Sequence, residues 1–404
     1  MLLVQQFLIK HSLKELQEHH GVYCSFSKSG HKASFNYDQI EAKESDPLSQ
    51  ECRGLILSAV DGHSFLSEAV KINGKLNYDN IVMGETIILS FPMRRFFNYG
   101  QSSAVNINWS DPNLAILEKL DGSCIFLYYD HFIKKWCVAT RSVPEADLLM
   151  DNGIFTFRTL FEKAVKDTLG VNIEQLFAEL NEEFTYSFEL TTPYNRIVVN
   201  YPNNRITLLA ARSLKTLNEV DPNTVIFKSG VPIVQAHTYT SINELVDWVS
   251  SLNPTEHEGV VVRDRNFNRI KIKNAAYVAA SKLRDSLSTS PKNCLELILL
   301  GKDDDASSLL PEDIRNNLFI IKENFVSWLY NQEQLAKTII AEAASISSDK
   351  KTFALTVQKH KPSIQAALFS IYDGKSNSVK NFIENNRKNG TWSSNFLDKL
   401  LSVI

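Results

Sequence analysis

The chain has 404 residues, room for about two to four domains at ~100–200 residues each. Its 44% hydrophobic and 22% charged residues are ordinary for a globular protein and exclude disorder, a collagen-like chain and a coiled-coil rod. Lys and Arg (43) nearly balance Asp and Glu (46), a formal charge of −3, so a nucleic-acid partner would need a local basic surface.

At the N-terminus, Met1-Leu2-Leu3-Val4 runs into Gln5, Gln6 and Lys10, without the apolar core of a signal peptide. No apolar run reaches the ~20 residues of a membrane span, so no membrane partner is expected. The five cysteines are scattered and form no C-x-x-C pair. They indicate neither a disulfide frame nor a zinc site and fit a reducing cytoplasm.

Residues 1–285 read as α+β with mainly antiparallel strands. Predicted strands are Ser123–Tyr129, Trp136–Thr140, Phe184–Leu190, Ile206–Arg212, Gly259–Arg263 and Arg269–Lys273. They are rich in β-branched and aromatic residues and bounded by Asn, Asp, Gly and Pro. Glu145–Met150, Phe155–Leu169 and Ile242–Leu252 read as helices between them. Ser286–Lys292 reads as a linker. Residues 286–404 form a helical second domain. There Ile314, Leu318, Ile321, Phe325 and Trp328 recur at helical spacing after Pro311. Further helices are expected at Thr352–His360, Pro362–Tyr372, Ser378–Asn386 and Ser394–Val403, broken at Asp373-Gly374 and Asn389-Gly390.

Chemistry concentrates in four segments. Lys119-Leu120-Asp121-Gly122 follows an apolar run and precedes a strand. Taken alone it reads as a hairpin turn with a solvated lysine. In Phe184–Glu189, period two separates the aromatics from Thr185, Ser187 and Glu189. Glu258 opens a strand through Gly259. In Arg269–Lys273 the same period aims Arg269, Lys271 and Lys273 to one side.

This order of lysine, acid-tipped strand, acid-Gly strand and two-lysine strand resembles the collinear motifs of covalent nucleotidyltransferases, which include ATP-dependent ligases and mRNA-capping enzymes. Glu51-Cys52-Arg53-Gly54, Phe91-Pro92-Met93-Arg94-Arg95-Phe96-Phe97-Asn98, Pro193-Tyr194-Asn195-Arg196-Ile197-Val198 and Lys271-Ile272-Lys273 with Tyr277 narrow the resemblance to the bacteriophage T4 RNA ligase 1 family. It runs from Phe35 to Tyr277 and weakly into Gly301-Lys302-Asp303-Asp304.

The resemblance implies an antiparallel, ATP-grasp-like nucleotidyltransferase domain over residues 1–285, with residues 1–110 contacting ATP phosphates. It implies an RNA ligase (ATP) that joins 5′-phosphate and 3′-hydroxyl RNA ends through lysyl-AMP and RNA-adenylate, with Mg²⁺ or Mn²⁺. Lys119 would be the nucleophile, assisted by Lys271, Lys273 and Glu258. Arg53, Arg95, Arg141, Glu189, Lys271, Lys273, Tyr37 and Phe35 would bind ATP, with Arg94 an alternative to Arg95. Glu189, Glu258 and Asp304 would serve the metal. Asp121 and Gly122 would turn the chain, and Phe97, Arg196 and Tyr277 would support the site. Lys134, Lys135, Arg263, Arg265 and Arg269 would make a basic lip for RNA. The family also implies nicked tRNA as a partner of the helical tail, and the chain is expected to be a monomer.

Rival expectations are a DNA ligase or capping guanylyltransferase, and a non-catalytic RNA-binding protein. The helical tail, where an OB-type barrel would be expected, disfavours the enzymatic rivals. No G-x-x-x-x-G-K-[ST] loop occurs, so end preparation by another enzyme is expected.

Overall fold

A computed structural model describes the chain apart from residues 73–74, 151–152, 240, 308–309, 361 and 389–390. The break expected at Asn389-Gly390 lies outside the described residues. The chain forms two compact units, Met1–Val278 and Ala279–Ile404.

Two helices, α1 (Leu3–Leu8) and α2 (Leu13–His20), open the first unit. Ser12 and Glu15 cap α2 reciprocally, each side chain accepting the other's backbone N–H. Next come β1 (Val22–Phe26), β2 (Lys32–Tyr37), α3 (Pro47–Glu51), β3 (Arg53–Ala59), the antiparallel pair β4 (Val70–Ile72) and β5 (Lys75–Asn77), and β6 (Thr86–Ser90). Strands β1–β2–β3–β6 form an antiparallel sheet in that order. Leu8, Leu16, Phe35 and Leu55 fill one of its faces.

Strands β7 (Phe97–Asn98) and β8 (Ala115–Glu118) precede β9 (Ser123–Asp130), β10 (Lys135–Thr140), helices α4 (Phe157–Leu169) and α5 (Ile173–Phe177), β11 (Phe184–Thr191), β12 (Arg205–Ser213) and β13 (Glu219–Val220). A central antiparallel sheet has the order β10–β9–β11–β12–β13. Ile56 and Leu89 of the first sheet pack on its Phe126 and Tyr128. On its other face lie Leu160, Phe161, Ala164 and Val165 of α4, one stripe at helical spacing. Full burial of such side chains stabilises by roughly 1.5–3 kcal/mol each.

The third sheet uses β14 (Ala236–His237), β15 (Gly259–Arg263) and β16 (Arg269–Lys273) in the order β14–β8–β15–β16–β7. Its core packs against Leu245 and Val249 of α6 (Ile242–Ser251). Only β16 and β7 pair in parallel.

Three readings of the first unit are corrected. Strands β8 and β9 belong to different sheets, so Lys119–Gly122 is a crossing between sheets and not a hairpin turn. Glu145–Met150 is not helical. The Ala146 N–H donates to Val138 and its carbonyl accepts from Arg158, so tertiary partners take the groups a helix would pair internally. Arg263 and Arg269 make no basic lip. Both are buried, Arg263 facing Asp221 (3.7 Å) and Arg269 paired with Glu219 (2.5 Å).

The second unit is helical: most of α7 (Ala275–Thr289), then α8 (Pro291–Leu299), α9 (Asp303–Ser307), α10 (Glu312–Ile346), α11 (Lys350–His360), α12 (Gln365–Tyr372), α13 (Val379–Asn385) and α14 (Ser394–Leu401). Ile314, Leu318, Phe325 and Trp328 form the buried face of α10, and Pro311 is its N-cap. The expected linker is largely helix: Ser286–Thr289 continue α7, and Pro291 and Lys292 open α8. No helix among the described residues is long and apolar enough to cross a membrane.

Candidate active site

Lys119 leaves the end of β8 where the central and third sheets meet. Its backbone N–H donates to the Gly259 carbonyl, extending the ladder by one residue. Its Nζ lies 2.7 Å from Glu258 Oε2, and Lys273 Nζ lies 2.7 Å from Glu258 Oε1. One carboxylate, 4% exposed, thus bridges two lysines. Gly259 permits this at φ +138°, where a Cβ would stand 2.2 Å from the Ile272 carbonyl oxygen.

Gly122 meets a similar limit. A Cβ there would lie 2.3 Å from the Leu190 carbonyl oxygen. Its N–H donates to Glu189 Oε1 at 3.0 Å, drawing the loop onto β11. Asp121 is a buried hub. Its Oδ2 accepts from the N–H groups of Val198 (2.9 Å) and Val199 (2.8 Å), and its Oδ1 accepts from the Tyr277 hydroxyl (2.5 Å). The Asp121 N–H donates to the Tyr201 hydroxyl. Sequence reasoning gave Asp121 a turn-forming part; the structure makes it a tether for Tyr277 and the 198–199 segment. The Tyr277 ring also lies 5.7 Å from Lys273 Nζ.

Charges are unevenly compensated. Burial, then Lys119, Lys273 and Arg53, push Lys271 down to about 7. Burial, helped by Glu258, raises Glu189 to about 7 against the pull of Lys119 and Arg53. Lys271 is therefore a depressed amine beside the Lys119–Glu258–Lys273 group. Arg53 has a buried Nη1 with no hydrogen-bond partner, an exception among buried polar groups.

A second group adjoins this one. The Arg95 guanidinium lies 4.1 Å from the Tyr37 ring and 5.2 Å from Phe97, with Arg141 5.8 Å from Tyr37. Arg94 turns to Glu51 (3.3 Å), so Arg95 is the member of the pair that joins Tyr37. Phe96 was assigned no part by the sequence, yet its ring lies near both Arg53 (5.6 Å) and Lys271 (5.0 Å). Its only signal was its place within Phe91–Asn98. Another pairing without a sequence signal is Glu118, held by His237 (2.7 Å) and His257 (3.0 Å) beside the two key residues Lys119 and Glu258.

Some expected members stand elsewhere. Phe35 is fully buried in the core of the first sheet. The register of β2 against β3 shifts here because Gly54 of β3 is an extra residue, while β2 itself pairs with β1 without a break. Arg196 donates to the Val198 carbonyl. Phe97 is buried on β7 beside β16. Asp304 belongs to the second unit, where it is exposed and pairs with Lys322 (3.0 Å).

Residues 51–277 match an RNA ligase family, the one of the T4 RNA ligase 1 type. A protein of Autographa californica nuclear polyhedrosis virus, named as a bifunctional polynucleotide kinase/RNA ligase, is 28% identical over 293 residues, 68% of this chain and 37% of that protein. The chain thus spans little more than a third of that relative. An RNA ligase of Rhodothermus phage RM378 is 26% identical over 337 residues, 68% of this chain and 75% of that one. Among solved structures, an archaeal ATP-dependent RNA ligase has a TM-score of 0.42 at 14% identity, covering 81% of this chain and 78% of that chain. The matched span exceeds half of the chain and contains the whole cluster around Lys119, so the chain belongs to the RNA ligase family of the T4 RNA ligase 1 type.

Proposed function

We propose that the protein is an ATP-dependent RNA ligase that works through covalent adenylation of Lys119. The observation that carries this reading is the meeting of Lys119, Glu258, Lys273 and Lys271 around one buried carboxylate, beside an Arg53 donor that no protein atom satisfies.

The Lys119 amine attacks the α-phosphorus of ATP, an N–P bond forms, and pyrophosphate leaves with the electrons of the broken P–O bond. Its salt bridge to Glu258 has to give way for that attack. AMP then passes to the 5′-phosphate of RNA, and a 3′-hydroxyl displaces it to make the phosphodiester. Lys271 and Lys273 face the charge that grows on the α-phosphate. Arg53 and Arg95 suit the β- and γ-phosphates, with Tyr37 and Arg141 beside Arg95. Phe96 contacts both Arg53 and Lys271 through its ring.

The donor set fits a divalent metal only in part. No cluster of three or more His, Cys, Asp or Glu able to hold an ion exists among the described residues. Glu189 and, once Lys119 releases it, Glu258 would be the carboxylates to hold Mg²⁺ or Mn²⁺. Such an ion would neutralise phosphate charge. Asp304 is engaged by Lys322 and has no part in this reading.

Substrate ends bearing 5′-phosphate and 3′-hydroxyl, and nicked tRNA read by the helical unit, belong to the same proposal. The helical second unit favours an RNA ligase over a DNA ligase or capping enzyme. A reducing, cytoplasmic compartment is part of the same proposal and rests on the scattered cysteines without a C-x-x-C pair. To test the reading, the protein is mixed with Mg²⁺ and ATP labelled at the α-phosphate, then denatured. Label stays on the parent chain and is absent from Lys119→Ala; an unlabelled parent, or equal labelling of both, refutes it.

A further inference from the structure

Beyond the Lys119 cluster, the first unit holds a cavity of about 700 Å³ walled by Arg94, Arg95, Phe96, Arg212, Glu219 and Arg269, with Ser103 and Val105 also lining it. It shares Arg95 and Phe96 with the nucleotide site. Two of its arginines are almost completely buried, Arg212 at 8% and Arg269 at 6%.

These two guanidiniums share one carboxylate. Arg212 Nη2 lies 2.6 Å from Glu219 Oε1, and Arg269 Nη2 lies 2.5 Å from Oε2. Each also donates to a backbone carbonyl: Arg212 to Leu217 (2.7 Å) and Arg269 to Phe267 (2.9 Å). Leu217 (φ +59°) and Phe267 (φ +63°) are both left-handed, a conformation uncommon for residues other than glycine. The fold thus holds two buried cations in fixed orientation with strained carbonyls and a single counter-ion.

Such an arrangement leaves excess positive charge in a desolvated place. Arg212 shows the strain: burial, with repulsion from Arg269 and Arg94, pushes it down to about 10. A buried unbalanced charge is costly, and an anion entering the cavity removes the cost. Arg95 adds a further cation at the shared wall, while Arg94 is offset by Glu51. The volume falls in the ~300–1,000 Å³ range of small-molecule sites, far more than a lone phosphate needs.

We propose that this cavity seats the 5′-phosphorylated terminal nucleotide of the RNA strand, with Arg212 and Arg269 orienting the arginine-lined wall that meets its phosphate. Naming RNA rests on the ligase reading above; the phosphate chemistry rests on the cavity alone. Pyrophosphate carries the same chemistry from another source and is a separate arm of the test.

The test titrates the full chain, without ATP, with a short single-stranded RNA bearing either a 5′-phosphate or a 5′-hydroxyl. The phosphorylated strand binds at least about tenfold more tightly, a difference of about 1.4 kcal/mol. Val105→Glu, which brings a carboxylate to an exposed position on the rim, and Arg212→Lys, which keeps the charge but loses the fork, both collapse that ratio toward one. Val105→Glu alone decides the matter if Arg212→Lys fails to fold. Equal binding of the two strands, or a ratio unchanged in Val105→Glu, overturns the proposal. So does inorganic pyrophosphate binding in a Val105→Glu-sensitive way while the RNA 5′-phosphate gives no advantage. Labelling by α-labelled ATP in the same preparations separates the two readings. Label without discrimination sinks the cavity alone; discrimination without label sinks the adenylation mechanism and leaves the phosphate site.

Discussion

At the scale of single residues, the site depends on groups that hold others in place. Asp121 accepts from Val198, Val199 and Tyr277 inside the fold. Asp121→Ala leaves three buried donors unpaired, at a cost of about 1–3 kcal/mol for each that finds no water. Chemical denaturation should therefore show a loss of about 3 kcal/mol or more, and a loss within error of zero would deny the hub. Lys271 and Glu189 give opposite pH signatures. Lys271 falls from 10.5 to about 7 on folding, so between those values the unfolded chain keeps a proton that the folded chain has released. Its contribution to stability rises with pH across that window. Glu189 rises from 4.5 to about 7, so the folded chain keeps the extra proton and stability is lost as pH climbs through 7. Lys271→Met should then raise the melting temperature most near about pH 6 and little near about pH 10. Glu189→Gln should raise it near about pH 8 and hardly at about pH 4. Parallel profiles for the two variants would contradict the electrostatics described here.

At the scale of elements, period-two reasoning worked along the strands it was applied to, including β11, whose ladder with β12 carries a bulge. Strands β15 and β16 have the predicted boundaries, because each lies in an unbroken antiparallel ladder. The extra residue that shifts the β2–β3 register is Gly54 of β3, opposite Phe35-Asn36. Phe35→Ala should act as a core deletion, costing about 3–5 kcal/mol, whereas the partly exposed Phe96 should cost less stability when cut to alanine and more lysyl-AMP formation. Measuring denaturation and label retention on both variants checks this, and equal ratios of the two effects would refute it. The segment Glu145–Met150 was misread because its amide partners come from β10 and α4, which no local pattern announces. Similarly, Lys119–Gly122 looks like a hairpin turn locally. Only the pairing of β8 with β15, and of β9 with β11, makes it a bridge between sheets.

For the whole molecule, the boundary between the compact units falls within α7 and not in the segment rich in serine that follows. Limited proteolysis should therefore not concentrate at residues 286–292, as read by mass spectrometry of the first fragments; rapid cleavage confined there would show a true linker. The sequence by itself determined the α+β-then-helical order, most strand and helix positions and the family, since periodicity and collinear motifs are local properties of the chain. It also named Lys119, Glu258, Lys271 and Lys273 as a set. Tertiary structure alone decided that Glu258 stands between Lys119 and Lys273, that Arg263 and Arg269 are buried away from any lip, and that Arg212 joins Arg269 at one carboxylate. These outcomes depend on distances between strands far apart in the chain and on how much water each charge retains. Neither quantity is written in the spacing of residues along one strand.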